Sequence, residues 1–166
     1  MITLVGSHEH IGISGNVLIE AHDVMTGNIV HQEVAQNHVP LVGRTLIGAV
    51  MIGDTALTGN PPSHIAIGTA TSAPADTDTQ LGNEVYRNVI TQKSVAAGIV
   101  TWKFFVPSVT ANGYTLSEAC IFNSSGLVPM PPMLSRVTHT PFLKTANISV
   151  TYTWVHSFAQ TTSTST

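Results

Sequence analysis

The chain has 166 residues, room for one domain with a real core and too little for a second catalytic domain. Only 9% of it is charged, against about a quarter in ordinary soluble domains, and six Lys and Arg face nine Asp and Glu for a formal charge of −3. With no basic run, the electrostatic footprint of a nucleic-acid binder is missing, and the single cysteine, Cys120, excludes an internal disulfide.

Residues 1–15 mix apolar residues with Gly6, Gly12 and Gly15 in no sustained period, which predicts an extended N-terminal arm or an edge segment. The start has no basic segment followed by a long apolar one, and no later stretch approaches 18 apolar residues. The expectation is therefore a chain made and folded in a cytoplasm, with no membrane partner. On that expectation the sequons at Asn123 and Asn147 are chance matches.

From Asn16, the runs Val17–His22 and Asn28–Val34 flank Met25-Thr26-Gly27, the pattern of a β-hairpin. After Pro40, residues Leu41, Val42, Leu46, Ile47, Val50 and Met51 recur at helical spacing and Gly53 closes the run, predicting one helix over about 41–52. Beyond Pro61-Pro62, strand-like runs at 63–68, 84–95, 99–106, 115–123, 133–139 and 147–156 are separated by turn residues. Such spacing without further helices predicts an all-β fold, a β-sandwich or jelly-roll over residues 16–156. The ending, 157–166, is polar and is expected to be ordered only by a neighbour.

Candidate chemistry is sparse. His8-Glu9-His10 places two imidazoles on one strand face but offers no third ligand, so no metal and no cofactor are expected. In Leu116–Phe122, period-two alternation puts Leu116, Cys120 and Phe122 on one face, which reads Cys120 as a buried small hydrophobe. The same alternation puts Glu118 on that apolar face, where a lone carboxylate is costly. It requires a cation, and Arg136 and Arg87 are the candidates for a structural ion pair. No nucleophile elbow, phosphate loop or His-Glu-x-x-His occurs, so no enzyme is expected. Trp102, Tyr114 and Trp154 read as core or interface aromatics rather than glycan platforms.

Four blocks stand in a recognisable order. They are Ser63–Thr69 with Ala73–Arg87, then Tyr114–Asn123, then Met133–Thr138, then Val150–Trp154. In this order they resemble small virion proteins of tailed phages, and are also similar to the N-terminal, particle-attaching part of phage tail-fibre proteins. The resemblance covers a little over half of the chain. It departs at Leu127–Pro132, where three prolines replace a short Gly-rich turn.

The resemblance implies a non-enzymatic virion protein whose partners are copies of itself, as a dimer or trimer, and a major capsid or tail subunit. Two roles follow from it: a capsid decoration or cement protein, or a tail-fibre or baseplate attachment module. A fibre carries a long region after its attachment domain, and this chain stops ten residues after His156, so decoration is the expectation. On either, Ile2, Leu4, Ile11 and Ile13 are the expected anchors of an assembly arm that pairs at a strand edge.

Overall fold

The computed structural model describes residues 8–54, 60–126 and 131–163, with the backbone alone at 8–11 and 160–163. Nine strands and one helix follow one another along it. They are β1 (His8–Asp23), β2 (Ile29–Gln36), α1 (Leu41–Ile52), β3 (His64–Gly68), β4 (Glu84–Val89), β5 (Gln92–Ala96), β6 (Ile99–Val106), β7 (Thr115–Phe122), β8 (Met133–Leu143) and β9 (Ile148–Ser163). The strands form two antiparallel sheets, ordered β2-β1-β9-β6-β5 and β4-β3-β7-β8, so the fold is all-β and sandwich-like.

The core lies between the two sheets. Val17 and Ile19 of β1, Phe104 of β6 and Tyr152 and Trp154 of β9 meet Ile65 and Ile67 of β3, Ile121 of β7 and Val137 of β8. Each fully buried side chain of this size contributes about 1.5–3 kcal/mol relative to exposure. Trp102 and Trp154 belong to this core, while Tyr114 is exposed.

Helix α1 occupies the expected residues and ends at Gly53, whose φ of +68° is the left-handed conformation a C-cap needs. Gly43 lets the helix lie against β8, because a Cβ there would collide with the Leu134 carbonyl oxygen. Among the described residues no helix is long and apolar enough to cross a membrane.

Three expectations change. The run 84–95 is two strands, not one: β4 ends at Val89 in the four-stranded sheet and β5 begins at Gln92 in the five-stranded sheet. Between them the Ile90 N–H donates to the Ser63 carbonyl and the Thr91 N–H to the Lys103 carbonyl, which carries the chain from one sheet to the other.

Secondly, the β7–β8 register shifts between Leu116, opposite Phe142, and Glu118, opposite Thr138, so that Ser117 alone faces the irregular stretch His139–Pro141 of β8. Leu116 therefore joins Ala119 and Ile121 in the central core, whereas Cys120 and Phe122 sit with Ala66, Leu81 and Met133 in a second cluster on the other face. Strand β7 is buried on both faces, so its alternation is one of neighbours rather than of core and solvent.

Thirdly, the arm and tail boundaries at 15 and 157 mark no break in structure. β1 runs through Gly15, and β9 pairs with it at every position from His8 opposite Ser163 to Asp23 opposite Ile148. The described parts of both ends are thus paired with each other within one chain.

Candidate functional site

The loop between β3 and β4 is clamped by one carboxylate. Glu118 is fully buried, and its Oε1 accepts the backbone N–H groups of Ala70 (3.1 Å) and Asn83 (2.8 Å) while Oε2 accepts that of Gly82 (3.0 Å). Arg136 completes it, donating to Oε2 from Nε at 3.1 Å and from Nη2 at 2.9 Å. Its Nη1 reaches Asp78 at 2.8 Å and Nη2 also meets Ser72. Burial works against the Arg136 charge, but the hydrogen bonds to Asp78 and Glu118 outweigh it and hold the guanidinium above its ordinary pKa.

The structure thus brings Glu118 and Arg136 together and leaves Arg87 elsewhere. Arg87 donates to Glu84 from Nε and Nη2 at 2.9 and 2.6 Å, and its guanidinium lies 3.9 Å from the centre of the Phe122 ring. The reason is β4 pairing: Glu84 and Arg87 lie three residues apart in one strand that borders β3, on the far side of that sheet from β8. The sequence reading also passed over Lys144, a fully buried ammonium that donates to Asn112 Oδ1 and to the carbonyls of Ser108 and Thr145. Burial lowers its pKa.

A second region is the ribbon made by the chain ends. β2 borders β1 only from Asn16 onward, and β6 borders β9 only as far as Ser157, so residues 8–15 and 158–163 form a two-stranded extension whose outer edges carry no neighbouring strand among the described residues. At its base Ile13, Leu46, Val50, Trp102, His156 and Phe158 line an apolar cleft of about 250 Å³. Of the expected anchors, Ile13 lines this cleft and Ile11 stands opposite Gln160 in the ribbon, while Ile2 and Leu4 lie outside the described residues.

A third region was not anticipated. β2 and β8, the edge strands of the two sheets, meet along one side of the sandwich, where the backbones of His38 and Arg136 exchange hydrogen bonds of 2.8 and 2.9 Å. Further along this seam His31 and Glu33 of β2 and His139 of β8 gather, with one ligand atom from each within 4.8 Å of the others. His31 stacks on Phe142 at 4.5 Å, and Glu33 Oε2 accepts the Thr140 N–H at 2.9 Å. The available signal was the His-x-Glu spacing at 31 and 33, which puts both on one strand face. His139, more than a hundred residues away, could not be joined to it by spacing.

Cys120 is fully buried and its thiol is pushed well above the usual range, first by burial, so it is poorly disposed to act as a nucleophile. Comparison of the chain with protein-family models, with curated proteins and with solved structures finds no match.

Proposed function

We propose that the chain is a non-enzymatic structural subunit of a tailed-phage particle, assembled in the bacterial cytoplasm, that decorates the head shell and contacts copies of itself and the major capsid protein. The observation that carries the reading is the open ribbon of residues 8–15 and 158–163. An isolated two-stranded ribbon is marginal in water, and unpaired strand edges recruit further strands. A neighbouring subunit that adds a strand there would stabilise both chains through main-chain hydrogen bonds. The resemblance of residues 63–156 to virion proteins gives the setting, and the low charge of the chain suits a module lying across another protein's surface.

Quantitative mass spectrometry of purified particles tests the proposal. Hundreds of copies per particle are expected. A handful would move the subunit to the tail, as an attachment module, and absence from the particle would overturn the reading. A chain lacking residues 1–12 should fold and bind undecorated heads weakly. Undiminished binding would show that the ribbon is not the attachment element.

A further inference from the structure

We infer that His31, Glu33 and His139 form a binding site for one divalent transition-metal ion, zinc being the best fit, which ties β2 to β8 across the open side of the sandwich. The site stands independently of the particle reading.

The donor set is the first argument. Two imidazoles and one carboxylate are a recurrent three-ligand set for zinc, with bonds of about 2.0–2.2 Å that place tetrahedral donors roughly 3.4 Å apart. His31 Nε2 and Glu33 Oε2 are already 3.7 Å apart, and all three ligand atoms lie within 4.8 Å of one another.

The state of each nitrogen is the second. His31 Nε2 is shielded from solvent and has no hydrogen-bond partner among the described residues, an arrangement that costs energy unless something occupies it. His139 Nδ1 is 3.0 Å from the Thr140 carbonyl. A metal-ligating histidine is oriented in this way, by a carbonyl on its other nitrogen. Nε2 is hydrogen-bonded to the buried Tyr152 hydroxyl at 3.2 Å, so whichever ring nitrogen meets the ion, the other keeps a partner that orients the ring. Glu33 is oriented in turn by the Thr140 N–H. The same residue, Thr140, therefore holds two of the three ligands.

The third argument is placement. His31 and Glu33 remain partly open, their side chains 19% and 27% exposed, so an ion can enter and keep a water as its fourth ligand. Because His31 and Glu33 come from one sheet and His139 from the other, binding links two edges that share few backbone hydrogen bonds.

The experiment is equilibrium dialysis of the full chain, stripped with chelator, against zinc chloride, alongside thermal unfolding and the visible spectrum with cobalt(II). One tight zinc per chain, a raised unfolding midpoint and a tetrahedral cobalt band are expected. Two variants preserve the fold while removing a ligand: His31→Phe keeps the stack on Phe142, and Glu33→Gln keeps an oxygen for the Thr140 N–H. Each should weaken zinc binding by about tenfold or more and abolish the rise in midpoint. Other histidines can take up zinc weakly, so equal affinity in wild type and His31→Phe would overturn the proposal. So would a stripped chain whose midpoint zinc does not move.

Discussion

Two buried polar regions of this molecule are built on opposite principles. In the clasp of Glu118 and Arg136 every charge meets an opposite charge and a set of directed donors, so the loop over 69–83 has one arrangement. Among the neighbours of β1, from His31 opposite Ala21 to His156 opposite Gly15, the accounting is left open. His31 Nε2, Asn37 Oδ1, Trp154 Nε1 and His156 Nδ1 are buried with no hydrogen-bond partner among the described residues. A satisfied network specifies structure, whereas an open one is sensitive to whatever can enter, a proton or an ion.

Arg136 is the residue on which the clasp depends most. Arg136→Ala strands Glu118, fully buried, without its cation, and should cost about 3–5 kcal/mol in urea unfolding. A loss below about 1 kcal/mol would mean that the backbone donors of Ala70, Gly82 and Asn83 suffice alone.

Acid should act on the other region. Burial lowers the His156 pKa from 6.5 to about 4, so the unfolded chain takes up this proton before the folded one. Its contribution is complete above pH 6.5 and is lost as pH falls toward 4, amounting to about 3 kcal/mol. His156→Gln, which keeps an acceptor for the Asn37 amide that now donates to Nε2 at 2.8 Å, should flatten this part of the stability profile. An unchanged slope between pH 6.5 and 4 in the variant would assign the acid sensitivity elsewhere.

Arg87→Ala gives the smallest effect, about 1–2 kcal/mol, because its partner Glu84 keeps access to water at 21% exposure. A loss as large as that of Arg136→Ala would erase the distinction between a buried pair and a rim pair.

Much of this was legible in the residues. The helix could be read because apolar spacing and Gly53 both mark it, and β6 because Trp102, Phe104 and Val106 alternate cleanly. Glu118 could be flagged as anomalous, yet its backbone donors come from a loop that no local pattern connects to it. The irregular stretch of β8 opposite Ser117 was hidden because strict alternation has no term for inserted residues. The turn at Ile90-Thr91 was hidden because it contains neither Gly nor Pro. The pairing of the two ends was least accessible, since neither half of the ribbon carries a pattern that names its partner.

That pairing also orders events in time. β1 and β9 are separated by nearly the whole chain, so the five-stranded sheet cannot close during synthesis until residues 148–163 have been made. The strands of the four-stranded sheet all lie between His64 and Leu143, and can associate earlier. Long-range pairing of this kind folds in milliseconds to seconds rather than microseconds. Throughout that interval β1 has β2 on one side while its β9 edge stays exposed, which makes newly made chains, more than finished ones, the species at risk of aggregation.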